Sequence, residues 1–404
     1  FVLIDKVLTP EDELQLGRSK TIKETYDFIL KDLKDAASGL PENAENGYFT
    51  KGAALALKAE VALHGASYIE TGKEDYYKEV KTSSEELFKL GYSLDSDYKK
   101  MFNDYDYASN SKEIIFALWR NKSVTQYKDT PMQQFTPNAE TNVLHDFAWP
   151  KLKQNFLGWG NRWPSQDLVD EYEVIDRDGK AKKWNETSYY EDYINNPGTY
   201  WVSDHLYKHR DQRFYASKAY DSTYIYENLV VTRITGNMHR KSLNKASKLS
   251  TRTGYFVRKT LYEKEPIFAQ NYTDYHHVIL RLGRSYLNYA EACLRLNEKD
   301  KAIEYINKTR TLHGGLPAHT AAAMTLDDAW KAYKSERRVE LFFEGELTVQ
   351  LKATTLSIAS KVEGYALVKI TVIAHYPTAI APEGVFVPLS LGVLLPLLTV
   401  ALIN

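Results

Sequence analysis

Three tryptophans lie close together in the stretch DFAWPKLKQNFLGWGNRWPS, at Trp149, Trp159 and Trp163. Glycines flank Trp159, and Asn161 and Arg162 stand between the last two rings. Flat apolar rings beside amide and guanidinium donors suit a ligand that has both an apolar C–H face and many hydroxyl groups. Saccharides combine these two features, so the residue types predict a sugar-binding surface.

A second aromatic cluster follows in YYEDYINNPGTYW, where NNPG predicts a turn. The chain has 30 Tyr and 7 Trp, and such an excess often lines surfaces that hold polar, ring-shaped or extended ligands. The structural alternative is that these rings pin long loops onto a scaffold. The predicted ligand-binding surface comprises Trp149, Trp159, Asn161, Arg162, Trp163, Tyr189, Tyr190 and Trp201.

Carboxylates beside aromatic rings are also typical of glycoside hydrolases, and DLVDEYEVIDRD contains several acidic residues. Acids at these spacings are as common on solvated helices and turns, so a hydrolase is the weaker alternative. The sequence has no GxSxG elbow, HExxH pair, Walker loop or CxxC pair. His276 and His277 are adjacent and cannot share a helix face, so neither a catalytic residue, a metal site nor a cofactor is predicted.

The charge balance argues against a nucleic-acid partner. The chain has 52 Lys and Arg against 53 Asp and Glu, a net charge of -1, which creates no field to gather nucleic acid or anionic lipid. Cys293 is the single cysteine and lies in the amphipathic pattern YAEACLRL, which predicts a buried free thiol. No signal-peptide pattern precedes Phe1, so we expect a mature or truncated chain.

Helical periodicity is strongest in two separate parts of the chain. The first part contains TIKETYDFILKDLKDAASGLP, with Thr21 and Glu24 as a capping box, then KGAALALKAEVALHGASY, capped by Thr50, and KEDYYKEVKTSSEELFKLG. The second contains HVILRLGRSYLNYAEACLRLN, KDKAIEYINKTRTLHGG and TLDDAWKAYKSERRVELFFEGE, with Thr325 as the cap of the last helix. Small residues at the expected contacts predict tetratricopeptide-like helix pairs.

Between these parts, from about residue 92 to residue 276, turn residues and aromatic clusters replace the helical pattern. EIIFALW and ENLVVTRI predict short strands. Because long ordered loops in compact proteins are usually functional, we expect the helices to form a scaffold and the loops to form the binding surface.

Several stretches occur in a characteristic order between about Arg18 and Glu346. They are RSKTIKETYDFILKDLKDAASGLP with TKGAALALKAEVALHGASY, WPSQDLVDEYEVIDRDGK, HRDQRFYAS, ILRLGRSYLNYAEACLRL, INKTRTLHGGL and ERRVELFFEGE. In this order they resemble the SusD/RagB family of surface lipoproteins that serve nutrient uptake in Bacteroidetes. The resemblance implies a mostly α-helical, SusD-like α/α superhelical scaffold of tetratricopeptide-like helix pairs, with long aromatic-rich loops and a few short strands.

The resemblance also implies a non-enzymatic protein that binds an oligosaccharide, or a peptide in RagB-like members, and delivers it to a SusC-like TonB-dependent transporter. It implies a position at the outer membrane, on the cell surface, through an N-terminal lipid whose cysteine is not present in this chain. Phe1 falls inside the family pattern, so the domain is expected to be N-terminally incomplete. A soluble tetratricopeptide scaffold for protein partners is the alternative from another class.

The stretch SERRVELFFEGE, Ser335 to Glu346, is predicted to be structural, with apolar residues toward the core. Its charged residues are predicted to form ion pairs within or between helices. These are Arg337, Arg338, Glu340 and Glu344.

The composition changes after Glu346, where residues 347–404 contain five charged side chains in 58 residues, against 26% for the chain. VFVPLSLGVLLPLLTVALIN has the length of a membrane span, but Pro388, Gly392 and Pro396 interrupt it. A natural replacement, a reading-frame or cloning artefact and a misassigned stretch are the open explanations. The predicted domain is therefore 1–346, with a helical scaffold at 18–91 and 277–346, ligand-binding loops at 92–276, and an anomalous apolar tail at 347–404.

Overall fold

The computed structural model describes residues 2–4, 18–139, 141, 148–196, 205–239, 251–264 and 271–344. The apolar tail predicted at 347–404 lies outside these residues, and so does Trp201. Within the described ranges, none of the helices is long and apolar enough to cross a membrane.

Three helices follow one another in the first part of the chain: α1 (Ile22–Gly39), α2 (Lys51–Ala66) and α3 (Lys73–Leu87). The side chains of Thr21 and Thr50 accept hydrogen bonds from the backbone N–H groups three residues later, which satisfies free donors at the starts of α1 and α2. α2 packs against both α1 and α3. The predicted helices and both predicted caps are confirmed.

Three further helices close the described chain: α10 (Leu282–Arg295), α11 (Lys299–Leu312) and α12 (Leu326–Glu340). The predicted helix over HVILR was wrong, because His277 to Arg281 belong to a strand that pairs with an earlier one. α12 also ends before the predicted Glu346, since the backbone at Phe343 turns to a φ of 66°. Thr325 and Asp328 form the capping box that opens α12.

The two helical parts pack against each other through small residues. Ala59 and Ala62 of α2 share one buried cluster with Ala292 of α10, and α10 also packs on α3 and α11. Because alanine side chains are short, the helix axes can approach closely, as helix-pair repeats require. Cys293 is buried and free, as predicted. The predicted mostly α-helical fold built on helix pairs is confirmed.

The intervening residues form short helices and two-stranded antiparallel pairs. β1 (Ile114–Arg120) pairs with β10 (Tyr275–Arg281), and Trp119 stacks on His276 opposite it. The other pairs are β2 (Asn138–Ala139) with β3 (Phe156–Leu157), β4 (Val174–Ile175) with β5 (Ala181–Lys182), β6 (Lys218–Ala219) with β9 (Phe256–Val257), and β7 (Thr223–Ile225) with β8 (Asn228–Val230). The short helices are α4 (Tyr98–Asn103), α5 (Tyr105–Ala108), α6 (Met132–Phe135), α7 (Gln166–Glu171), α8 (Ser188–Asn195) and α9 (Gln212–Ser217).

These short elements have an apolar core of their own. Phe135 of α6, Phe156 of β3 and Phe256 of β9 are buried in one cluster, which Phe342 joins from the end of α12. Burial of these large rings compensates for the sparse regular hydrogen bonding of the loops. The loop-rich part is therefore held in place by side-chain packing rather than by long strands.

A buried ion-pair network lies beneath the end of α12. Arg281 Nη1 donates to Glu340 Oε1 at 2.7 Å and to Glu113 Oε1 at 2.8 Å, and its Nη2 donates to Glu344 Oε1 at 2.9 Å. Arg213 Nη1 donates to Glu340 Oε2 at 2.8 Å. The ion-pair network consists of Glu113, Asp211, Arg213, Lys259, Arg281, His313, Glu336, Glu340 and Glu344.

The network gives the charges of SERRVELFFEGE the structural function that the sequence predicted. Glu340 and Glu344 take part in it, while Arg337 Nη1 donates to Asn288 Oδ1 at 2.6 Å and Arg338 pairs with Glu171 at 3.0 Å. All these partners are distant in sequence. The charged side chains of this stretch therefore connect α12 to other elements.

Candidate ligand-binding site

The indole of Trp159 is held at the surface by the backbone around it. The N–H groups of Trp159 and Gly160 donate to the carbonyls of Gln133 at 2.7 Å and Thr136 at 3.0 Å. A Cβ on Gly158 would lie 2.1 Å from the Thr136 carbonyl oxygen, so glycine is needed for this close approach. The backbone is fixed while the Trp159 ring remains 49% exposed.

Trp149 is held in a similar way against a different turn. Its N–H donates to the Thr235 carbonyl at 2.9 Å, and Asn237 Nδ2 donates to the Pro150 carbonyl at 2.7 Å. The Trp149 ring is 66% exposed, and Ile234 beside this turn is 70% exposed. Because neighbouring exposed apolar side chains can mark an interaction site, and Trp149 pairs with Gly236 in the turn that contains Ile234, these two form a candidate contact surface.

Trp163 has a closer protein neighbour than the other two rings. The Arg252 guanidinium lies 5.9 Å from its ring centroid, and Thr253 Oγ1 donates to the Pro164 carbonyl at 2.7 Å. Trp163 is half-buried. Part of this ring therefore supports Arg252 through a cation–π contact.

The predicted polar residues of the site lie on the same segment. Arg162 donates from Nε and Nη2 to Gln134 Oε1 at 3.2 and 3.0 Å. Asn161 donates its backbone N–H to the Gln134 carbonyl at 3.0 Å. Its side-chain oxygen is buried without a hydrogen-bond partner among the described residues, so that oxygen is not accessible to a ligand in this conformation.

The second predicted cluster is built on α8 and makes mostly internal contacts. Tyr189 stacks on His209 with a centroid distance of 5.4 Å, and the Arg177 guanidinium lies 4.8 Å from its ring. Tyr190 meets Trp184 edge to face at 5.8 Å. Both tyrosines are half-buried, so the structure gives these rings packing contacts on the protein itself.

Four of the six acids of DLVDEYEVIDRD, Glu171, Glu173, Asp176 and Asp178, are paired with cations. Glu171 Oε2 lies 2.5 Å from Lys183 Nζ, and Asp176 Oδ2 lies 2.6 Å from Lys182 Nζ. Burial alone would raise the pKa of Glu171, but hydrogen bonds and charges from Lys183 and other neighbours lower it overall. A glycosidase acid needs a raised pKa, so the pairing of these carboxylates does not favour the hydrolase alternative.

Glu113, His313 and Glu340 are close enough together to be considered as metal ligands. Burial would lower the pKa of His313, but Glu340 and Glu113 outweigh burial and raise it to about 10. The imidazolium Nδ1 lies 2.7 Å from Glu340 Oε1, and Arg281 donates to both carboxylates. A metal ligand must be a neutral imidazole, so this group fits an ion-pair network better than a metal centre.

Sequence reasoning missed three residues of this surface. Ile234 is a single apolar residue in the polar turn TRITGN, Arg252 lies in a separate loop, and Gln134 lies on α6. Their positions depend on pairings between distant loops, such as Thr253 with Pro164. The pattern around each residue gives no signal that would have predicted them.

Comparisons with known proteins agree with this architecture. A SusD-like protein from Bacteroides fragilis is 27% identical with a TM-score of 0.68, over 89% of this chain and 65% of that chain. A SusD-like carbohydrate-binding protein from the same species is 20% identical with a TM-score of 0.67, over 89% of this chain and 63% of that chain. The chain thus spans just under two thirds of the length of these two proteins.

A laminarin-binding SusD-like protein is 17% identical with a TM-score of 0.56, over 91% of this chain and 69% of that chain. No curated protein sequence matches the chain. A model of the SusD family matches residues 112–351, which is more than half of the 404 residues.

Proposed function

Because the chain belongs to the SusD family, we propose that it is a non-catalytic binding protein of the cell surface that captures an oligosaccharide. In this proposal the oligosaccharide is delivered to a SusC-like TonB-dependent transporter, and the protein is attached to the outer membrane by an N-terminal lipid. The aromatic surface formed by Trp149 and Trp159 makes the first contact with the ligand.

The observation that carries the proposal is the exposure of two indoles on a fixed backbone. Trp149 is 66% and Trp159 49% exposed, while their N–H groups are hydrogen-bonded to Thr235 and Gln133. A ring whose backbone is already ordered loses little conformational freedom when a ligand stacks on it. Such rings can bind the C–H face of a sugar without rearrangement of the loop.

Two further observations support a binding protein rather than an enzyme. The acids of DLVDEYEVIDRD that the structure places near cations, such as Glu171 and Asp176, are ionised and paired. The clefts of retaining and inverting hydrolases need one protonated and one free carboxyl group on either side of the bond that is cleaved. Around the exposed tryptophans, the segment 148–164 contains no Asp or Glu at all.

The test is calorimetric titration of the pure protein with a panel of oligosaccharides and a panel of short peptides. We expect heat of binding with at least one oligosaccharide and none with the peptides. Peptide binding without any saccharide binding would move the protein to the peptide-capturing, RagB-like members of the family. Cleavage of a fluorescently labelled glycan by the pure protein would instead support the glycoside hydrolase alternative.

The transporter part of the proposal has its own test. Affinity purification of the tagged protein from detergent-solubilised outer membranes is expected to bring down a large β-barrel transporter in constant proportion. A cytoplasmic location and the recovery of soluble partners would instead support the tetratricopeptide scaffold.

A further inference from the structure

The segment around the exposed tryptophans is one-sided in charge. Residues 148–164 contain Lys151, Lys153 and Arg162 and no acidic residue, and the neighbouring stretch 131–139 contains no charged residue. The chain as a whole is almost balanced, with 52 basic and 53 acidic residues. The charged side chains of residues 148–164 are therefore all basic.

Among the described residues, Arg162 has no carboxylate partner. Its guanidinium donates to the neutral amide oxygen Gln134 Oε1. Elsewhere in the described ranges, nine arginines form ion pairs with Asp or Glu. They are Arg177, Arg213, Arg233, Arg258, Arg281, Arg284, Arg295, Arg310 and Arg338. Most other described arginines are therefore balanced by a carboxylate, whereas Arg162 is bound to a neutral amide.

Arg252 provides a second guanidinium, which lies against Trp163. It is exposed, lies 5.9 Å from the Trp163 centroid, and forms no ion pair within the described residues. Thr253 ties its loop to Pro164 through a 2.7 Å hydrogen bond. Trp163 is therefore next to Arg162 in sequence and in contact with Arg252 in space.

Guanidinium groups match planar or tetrahedral anions in geometry as well as in charge. Their parallel N–H groups can donate two hydrogen bonds to one carboxylate or sulfate. Two guanidinium groups that have no carboxylate partner among the described residues also raise the local positive potential, which attracts an anionic ligand before contact. A neutral sugar would make use of the rings but not of this charge.

On these grounds, and resting on the proposed function, we propose that the site selects saccharides that carry an anionic group, either the carboxylate of a uronic acid or a sulfate ester. Trp149 and Trp159 stack on sugar rings, while Arg252 and Arg162 bind the anion. We favour a saccharide over an acidic peptide because flat exposed indoles match sugar rings, whereas an extended peptide is usually held by pairing with a strand edge.

The experiment compares ligands that differ in the anion alone. Oligogalacturonate is titrated against its fully methyl-esterified form, and a sulfated oligosaccharide against its desulfated form. Because a charge-assisted hydrogen bond corresponds to about a tenfold change in affinity or more, at least one anionic member should bind about tenfold more tightly than its neutral partner. The advantage should shrink as salt is added, since exposed charges are screened.

Variants then assign the effect to the guanidinium. Arg252→Gln should remove most of the advantage of the anionic ligand by weakening that ligand more than the neutral one, whereas Arg252→Lys should keep part of the advantage. Arg252 is exposed, so the thermal midpoint should not change. Lys34→Gln, at another exposed cation with no ion pair among the described residues, should leave both affinities unchanged.

Equal affinity for both members of each pair would overturn this inference and leave the proposed function standing. An equal loss of affinity for the anionic and the neutral ligand in Arg252→Gln would also overturn the inference. Tighter binding of an acidic peptide than of any acidic saccharide would overturn it as well. Failure of every saccharide to bind, neutral ones included, would overturn the proposed function and this inference together.

Discussion

The ion-pair network under α12 and the tryptophan segment 148–164 differ in where they place side chains that are unfavourable in their surroundings. The network buries charged groups, and the segment exposes large apolar rings. In the network, Arg213, Arg281 and Glu340 are almost fully buried, and each contacts several opposite charges. In the segment, Trp149 and Trp159 are large apolar rings that remain in water. Charged side chains that find opposite charges inside the protein stabilise the fold. Apolar rings that remain exposed at the surface are available to contact a ligand.

The largest expected effect is the loss of one member of the network. Arg281→Met leaves the carboxylates of Glu113, Glu340 and Glu344 short of a partner inside the protein. Breaking a buried pair in this way typically costs about 3–5 kcal/mol. Urea unfolding should therefore show a large fall in the free energy of unfolding, or a failure to fold.

Lys331→Met is the matched control, because Lys331 pairs with Asp327 at the surface and is 70% exposed. Surface pairs contribute about 0–1 kcal/mol, so this variant should be close to the wild type. Equal losses in the two variants would contradict the distinction between buried and surface pairs.

Acid should weaken the network and not the tryptophan segment. Burial would raise the pKa of Glu344, but Arg281 and Lys259 outweigh it and lower the pKa to about 2 from an ordinary value of 4.5. Such a group stabilises the folded state above pH 4.5 and loses this contribution as the pH falls toward 2. The difference corresponds to about 3 kcal/mol.

The measurement is the free energy of unfolding of the wild type and of Glu344→Gln between about pH 6 and about pH 3, a range over which the carboxyl group titrates in the unfolded chain. The wild type should lose stability more steeply as the pH falls. Parallel curves for the two proteins would show that Glu344 is not the coupled group.

Gly158→Ala should have an intermediate effect, because it acts on the backbone that holds Trp159. The added Cβ would lie 2.1 Å from the Thr136 carbonyl oxygen, so the turn must move. Overpacking of this kind costs about 1–3 kcal/mol, and displacement of Trp159 should also weaken saccharide binding.

Gly39→Ala at the end of α1 is the control, since a Cβ there meets no atom within 4 Å. It should be neutral or stabilising by up to about 1 kcal/mol. If Gly158→Ala and Gly39→Ala have the same free energy of unfolding and the same saccharide affinity, the close approach of Gly158 to Thr136 does not position the Trp159 ring.

The fold could be predicted from the sequence where local signals decide the structure. Helix caps at Thr21, Thr50 and Thr325 and the periodic apolar residues between stops predicted α1, α2 and α12. The prediction was wrong at His277–Arg281, because an apolar run of this length also suits a strand and its pairing with β1 is a long-range contact.

Local sequence signals could predict only some of the contacts made by the candidate site residues. Gly158 and Gly160 flank Trp159 and were a local signal that its ring is less crowded, and Trp149, Asn161, Arg162 and Trp163 lie on the same segment. The sequence could not show that Tyr189 packs against His209, or that Arg252 reaches Trp163 from a loop distant in sequence. Trp201, also predicted for the site, lies outside the described residues.

The most direct test is to measure saccharide affinity and unfolding free energy together for the double variant Trp149→Ala/Trp159→Ala. Tyr48→Ala is the control, because Tyr48 is 66% exposed, as is Trp149, and lies outside the segment. We predict that the double variant loses saccharide affinity by about tenfold or more while both variants stay within about 0.5 kcal/mol of the wild type in stability. Wild-type affinity in the double variant would contradict the account.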